Sequence, residues 1–464
     1  MKRACSKIYH QRMLINSELH VTLKNNKYKH MKNYIYIIAF LLVSGIGYAQ
    51  QTPASKQSKD IAIVGATAHI GSGEVIENSL ITFSNGKITN IGDATVMKLS
   101  TVNMEVIDAS GKHVYPGFIV SNGTLGLVEV DAVKASSDLS EMGTFNPHIK
   151  SLIAYNAESK IVESMRPNGV LMGQVVPRGG RITGTSSIVQ YDAWNWEDAV
   201  IKADDGIHIN WPNSFSRGRW WLGEDPALKP NKDYNKQVKE LEMYFNESKS
   251  YNAGAKDERH LPFESMAGLF NGSKHLYVNV NDQKGITDAV NFTKSQGISN
   301  ITIVGGYEAG EIADFLKQNN VSVFLRRLHT RPNNEDDDYD LPYKLAKKLV
   351  DAGILVSLEP SGQMERMNSR NLPFYAGTTV AHGLTKEQAL QLITQNPAKI
   401  MGIDNIYGTL EAGKSATLFI SEGDALDMRT NIVTHAFIDG RQLSLETHQT
   451  KLWKRYSEKY NQQD

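Results

Sequence analysis

From Asp60 to Val114 apolar and polar positions alternate in short runs: Ile61-Ala62-Ile63-Val64, then Ser79-Leu80-Ile81-Thr82-Phe83-Ser84, then Lys87-Ile88-Thr89-Asn90-Ile91. A period of two marks strands with one buried face. Asn85-Gly86 separates the last two runs, and a two-residue hairpin turn needs positive φ at both positions, so a hairpin is predicted there. The same texture returns only near the other end, where Ala416-Thr417-Leu418-Phe419-Ile420 and Ile432 to Ile438 precede a second turn signal, Asp439-Gly440. Neither end holds enough strands to bury a core alone, so residues 60–115 and 405–445 are expected to form one discontinuous β-sandwich domain.

Between them, short β-branched runs alternate with stretches of helical spacing. Leu276 to Val280 precedes a helix bearing Ile286, Ala289, Val290 and Phe292; Ile301 to Val304 precedes one bearing Ile312, Ala313 and Leu316. Val321 to Leu325 and Ile354 to Leu358 continue the series, with Leu341, Leu345 and Leu349 between them. Repeated strand-helix units predict a parallel α/β sheet. This pattern leaves an open doubly wound sheet and a closed barrel both standing.

Motifs choose between them. Val114-Tyr115-Pro116-Gly117-Phe118-Ile119 resembles the entry to the first barrel strand of the amidohydrolase superfamily, whose Pro-Gly-Phe-Ile-Asp-x-His-x-His motif supplies two imidazoles to a metal. Gly169 to Pro177 with the Gly-rich stretch Gly179 to Gly184, and Asn371-Leu372-Pro373-Phe374 with Ala376-Gly377, are similar to the imidazolonepropionase-like branch. Gln395 to Gly402 and Gly408 to Ala416 are similar to the family's closing signature. The resemblance covers nearly all of residues 60–445 and implies a (β/α)8 TIM-like barrel over residues 116–404, carrying the composite sandwich, with 446–464 as a C-terminal tail.

The same resemblance implies where chemistry belongs: His-x-His after the first strand, single histidines after the fifth and sixth, and an aspartate after the eighth. Imidazoles and a carboxylate hold a divalent metal that lowers the pKa of water to about 7. In this chain the first-strand positions carry Asn122 and Thr124, with Val120 at the aspartate of the motif. The fifth-strand position falls on Asn281, or on Asn279 in the alternative register; the sixth on Gly305-Gly306; the eighth on Ser361, with Glu359 two residues before it. The thirteen histidines form neither His-x-His nor His-x-x-x-His, and no two lie within eight residues of each other. Distant residues that could still converge are His329, Glu359, His275 and Asp282. A mouth that still holds polar side chains, lined by Asn122, Thr124, Asn281, His329, Glu359 and Ser361, with Glu365 and Arg366 adding a charge pair, is therefore the expected site, with no cofactor. A divalent metal such as zinc enters only if the protein is an active hydrolase.

Other signals are bland. Gly179-Gly180 reads as a turn, the run Glu335 to Asp338 as a solvated loop without EF-hand spacing, and Trp194, Trp196, Trp211, Trp220 and Trp221 as satellite core or, alternatively, a lid. There is no Gly-x-Ser-x-Gly elbow.

The 464-residue chain is formally neutral, with 50 basic and 50 acidic residues. Tyr34 to Val43 is an apolar run shorter than the roughly 20 residues a membrane span requires, and small residues ending at Ala49 complete the layout of a signal peptide over 31–49. Residues 1–30 then read as a mis-assigned upstream extension, with translation starting at Met31. Removing 1–49 leaves 42 basic and 49 acidic residues, net −7, which argues against nucleic acid as a partner, and discards the only cysteine, Cys5. An exported protein is expected, periplasmic rather than secreted. Its function is expected to be that of a non-catalytic amidohydrolase-family protein binding a small polar molecule or pairing, as a homo- or hetero-oligomer, with an active paralogue. The alternative is an active hydrolase of cyclic amides or other C–N bonds with an atypical site.

Overall fold

The computed structural model describes residues 52–97, 100–254 and 258–460. The chain divides into Met1–Thr52 and Pro53–Asp464, and all that follows concerns the second unit; the expected extension and signal peptide lie outside the described residues.

Five strands open the second unit: β1 Ile61–His69, β2 Val75–Ser84, β3 Lys87–Asp93, β4 Glu105–Asp108 and β5 His113–Pro116. The barrel segment follows with β6 Phe118–Gly123, β7 Val170–Val175, β8 Ile182–Gln190 and β9 Val200–Asn210, a small hairpin of β10 Phe215–Arg217 and β11 Leu228–Pro230, then β12 His275–Val280, β13 Ile301–Gly305, β14 Ser322–Arg326 and β15 Val356–Glu359. Three more, β16 Leu418–Ser421, β17 Val433–Ile438 and β18 Arg441–Gln442, return to the first sheet. The longer helices are α1 Tyr234–Ala253, α2 Gln283–Ser295, α3 Ala313–Gln318, α4 Leu341–Asp351, α5 Leu372–Ala381, α6 Lys386–Gln391, α7 Gln395–Met401 and α8 His448–Tyr460.

Both chain ends build one sheet, in the order β18-β17-β16-β5-β1-β2-β3 with β4 beside β1. The predicted turns are present, with φ of 49° at Asn85 and 81° at Gly86, and 47° at Asp439 and 70° at Gly440. Its core joins Ile63, Ile81 and Phe83 to Leu418 and Phe437, the two phenyl rings meeting edge-on at 5.1 Å. The tail is an exposed helix, α8, that buries no side chain.

The second sheet runs β6-β7-β8-β9-β12-β13-β14-β15 and is the expected barrel, with one strand reversed: β8 is antiparallel to both neighbours. The cause is the connection. Only Val176 to Arg181 separate β7 from β8, and a parallel crossover needs a dozen or more residues. Gly179 and Gly180, at φ of 85° and 64°, make this a tight turn. Between β15 and β6 the ring is closed by other means. The hydroxyls of Ser121 and Ser357 meet at 2.9 Å, and the backbone N–H groups of Ile119 and Leu358 donate to the carbonyls of Ile393 and Leu392. Segment 392–393 thus satisfies backbone groups that a missing ladder would strand.

Inside the ring, Gly173 of β7 has no room for a side chain: an added Cβ would collide with the Tyr191 hydroxyl and Val120. Gly173→Ala is expected to lower stability by about 2 kcal/mol, as overpacking of a fixed core does. Urea denaturation checks this; an unchanged midpoint would mean that Tyr191 moves freely.

Candidate functional site

The reactive end of such a barrel is the C-terminal end of its strands. At β6 the pairing with β7 slips between Val120 and Gly123, and within this irregularity Asn122 adopts φ of 50°. Asparagine tolerates the left-handed region better than most residues, and the bulge turns its amide into the mouth. Asn122 Nδ2 donates to Glu359 Oε2 at 3.3 Å. Glu359, the last residue of β15, is fully buried and accepts from the Ser361 backbone N–H at 2.7 Å and the Ser361 hydroxyl at 2.6 Å. Burial pushes its carboxyl above the usual range; the Ser361 bonds oppose this, the Glu365 charge adds to it, and Arg178 counters.

Thr124 donates to Glu365 Oε1 at 2.8 Å and accepts from Arg366 Nη1 at 3.3 Å, while Arg366 pairs with Asp131. Between these two groups lies a residue that sequence reasoning missed. Arg178, delivered by the tight turn after β7, donates to Asn122 Oδ1 at 2.9 Å and to the Asn122 carbonyl at 2.7 Å, and pairs with Glu365 at 3.3 Å. A guanidinium thus bridges the first-strand site to the loop after the eighth strand. The available signal was an arginine beside Gly-Gly at the C-terminal end of a strand.

The structure brings Asn122, Thr124, Glu359 and Ser361 together, with Glu365 and Arg366, and leaves other candidates elsewhere. Asn281 is exposed and faces a concavity of about 480 Å³ shared with Asn279, Arg181 and Trp211; no hydrogen bond joins it to Asn122 or Glu359. His329 does not face the mouth: it is exposed, its Nε2 is 2.7 Å from the Thr378 hydroxyl, and its ring packs edge-on against Tyr375 on α5. His275 opens β12 and so sits at the opposite end of the barrel from Glu359, while Asp282 caps α2 by accepting from the Gly285 N–H. His329, Glu359, His275 and Asp282 therefore do not meet at one site. Asp337 accepts from the Tyr307 hydroxyl and Asp338 pairs with Lys344 of α4, so two of the four acidic residues of this run are tied to neighbouring elements. Of the tryptophans, Trp211 is buried and donates to the Tyr234 hydroxyl, and Trp196 is half-buried against the core. Trp194, Trp220 and Trp221 are exposed, the last two on the β10–β11 hairpin, so the satellite-core reading fails for them.

Below the mouth a second missed group crosses the barrel interior. Gln174 accepts from the Asn122 N–H and donates to Asp205 Oδ2; the Tyr277 hydroxyl donates to the same oxygen at 2.8 Å, and Ser186 donates to Asp205 Oδ1 at 2.6 Å. Because the Ser186 proton is committed to Asp205, His208 Nε2, 3.0 Å from Ser186 Oγ, is the donor of that pair. His208 Nδ1 is then a buried acceptor without a partner. Burial holds its imidazole well below the ordinary value, so the ring is neutral. Gln174 interrupts an otherwise apolar strand, which was the legible signal; β9 carries Lys202, Asp204 and Asp205 beside His208 and offered none.

A catalytic zinc requires three donors such as imidazole or carboxylate at about 2.0–2.2 Å. The mouth offers an amide, two hydroxyls, the Glu359 carboxylate with both oxygens bound to Ser361, the Glu365 carboxylate already paired with Arg178 and bound by Thr124, and an arginine whose positive charge opposes a cation. His208 Nδ1 is a lone donor, and among the described residues no group of three or more His, Cys, Asp or Glu could hold an ion. The residues present do not fit a divalent metal.

The sequence profile of the amidohydrolase family matches residues 348–443. An imidazolonepropionase of Flavobacterium psychrophilum is 29% identical over 108 residues, which are 22% of this chain and 26% of that protein, so the match spans about a quarter of the relative. Among solved structures, an amidohydrolase from Thermotoga maritima superposes with a TM-score of 0.71 at 23% identity, over 83% of this chain and 99% of that one. A prolidase complexed with N-methylphosphonate-L-proline gives a TM-score of 0.51 at 13% identity, over 83% and 99%. These structural likenesses concern the fold.

Proposed function

We propose that the chain is an exported, non-catalytic member of the amidohydrolase superfamily, similar to imidazolonepropionases, that binds a small polar molecule at its barrel mouth; the family profile over residues 348–443 and the imidazolonepropionase match support this. The observation that carries this reading is the Arg178 guanidinium clamped between Asn122 and Glu365, which puts a fixed side-chain cation where the family resemblance expects metal ligands. Amide, hydroxyl and guanidinium groups can hydrogen-bond a ligand; without a Lewis acid they leave an amide carbonyl poorly polarised. Export through 31–49 toward the periplasm and pairing with an active paralogue belong to the same proposal. The pairing fails if protein mixed with a co-encoded active homologue elutes as a separate species in size exclusion.

One observation favours a second reading, an active hydrolase of C–N bonds. Glu359 is a buried carboxyl with a raised pKa, the property of a general base or acid. In that role it would take a proton from a bound water as the oxygen attacks the carbonyl.

Elemental analysis after chelator-free purification separates the two. We expect zinc well below one per chain, about 0.1 or less, and no turnover of lactams, dipeptides or imidazolones. Stoichiometric zinc surviving dialysis would overturn the first reading. Turnover abolished by Glu359→Gln would establish the second.

A further inference from the structure

At the N-terminal end of the barrel, opposite the mouth, lies a concavity of about 580 Å³. Four lysines from separate segments line it: Lys202 in β9, Lys274 just before β12, Lys317 in α3 and Lys399 in α7. Asp205 is the one acidic residue of that lining among the described residues, and both its oxygens are committed inward to Ser186, Gln174 and Tyr277. Asp204 acts on Lys274 and Glu411 on Lys399 from beyond the lining, so the charge of the four lysines is offset only in part. His275, in the same wall, is held neutral: burial and the Lys202 charge bring its pKa down to about 3.

Lysines at this end of a barrel have an ordinary use, since helix C-termini each carry about −0.5 charge. Lys202 serves that use, donating to the Met401 carbonyl at the end of α7. Three longer helices, α3, α4 and α7, end around the concavity, so their summed partial charge offsets fewer than half of the four ammonium groups. Lys274 is spent on the Ser265 carbonyl. Lys317 and Lys399 are exposed and make no hydrogen bond or ion pair to a described residue.

The wall also makes room for these groups. Gly353 and Gly402, at φ of 80° and 64°, end α4 and α7, and a Cβ on either would stand 3.1 Å from the ammonium of Lys317 or Lys202. Half-buried Lys202 and Lys274 are fixed by backbone carbonyls, so little side-chain entropy is lost when an anion arrives. The volume lies within the range of small-molecule sites, about 300–1,000 Å³.

We propose that this concavity is a binding site for a dianionic oxyanion, phosphate or a small phosphomonoester, held by Lys317 and Lys399 over the fixed charges of Lys202 and Lys274. It is independent of the mouth and of whether the mouth catalyses anything. The ligand is multiply charged because a single carboxylate would satisfy one ammonium and leave the others unmatched.

Isothermal titration calorimetry of the full chain with inorganic phosphate and, separately, glycerol 3-phosphate tests the site, at about 50 mM salt so that screening does not mask it. One saturable site is expected, weakened at least roughly tenfold in Lys317→Gln/Lys399→Gln and unchanged in Arg326→Gln, at the C-terminal end of β14. Both substitutions lie on exposed side chains, so folding is preserved and circular dichroism checks it. Tighter binding of the ester identifies a phosphorylated small molecule as the ligand; equal binding identifies free phosphate. No saturable heat with either probe up to about 10 mM, or loss of binding in Arg326→Gln with the lysine pair indifferent, would overturn the proposal.

Discussion

Asp205→Leu is expected to destabilise the protein by about 4 kcal/mol, because three buried donors lose their acceptor at once. The Tyr277 hydroxyl, the Gln174 amide and the Ser186 hydroxyl all point at this buried carboxylate. Asp205→Asn should cost far less, about 1 kcal/mol. Its oxygen still accepts from Tyr277 and Gln174, and Ser186 can turn its proton to the Gly206 carbonyl 3.2 Å away while accepting from the new amide. Urea denaturation of both variants measures the gap. If leucine proves neutral, the polar group is replaceable by packing, as some buried ionic clusters are, and the interior network is not what holds β7, β8, β9 and β12 in register.

Arg178→Leu is expected to cost about 3 kcal/mol at neutral pH, the lower end for breaking a buried pair, since the side chain keeps 27% of its exposure. The loss should depend on pH in a defined direction. Glu359 has a folded pKa above its unfolded value, so its stability contribution is intact below the unfolded value and is lost as pH rises through the folded one. Arg178 lowers that folded value; without it the carboxyl is pushed higher and the penalty for ionising it grows. The deficit of the variant should therefore be smallest near pH 4 and widen toward about pH 8. Denaturation across that range checks it. A deficit independent of pH would place the cost in the lost Asn122 contacts and remove Glu359 from the account.

Much of the architecture was legible because it is written in local rules. The period-two runs and the turns Asn85-Gly86 and Asp439-Gly440 located the composite sheet, since left-handed turn positions select few residues. The spacing of Ile286, Ala289, Val290 and Phe292 gave α2, which buries all four. The reversal of β8 was less visible: its sequence is strand-like in either direction, and only the brevity of Val176 to Arg181 forbids a crossover. In the site, motif spacing placed Asn122, Thr124, Glu359 and Ser361 at the strand ends where they meet. It failed for Asn281, which is exposed at a separate concavity, and position after a strand misplaced His329, because the residues after β14 turn outward onto α5.

Sequence by itself therefore determined which residue types stand at the expected ligand positions, and that neither end of the chain could form a sheet alone. Only the tertiary structure decided what fills the mouth and the barrel interior. Arg178 reaches Asn122 and Glu365 across 56 and 187 residues of chain, and Asp205 gathers donors from three other strands. Such contacts depend on where the closed ring brings distant strands, and hydrogen-bond partners chosen across that ring leave no periodic trace along the chain.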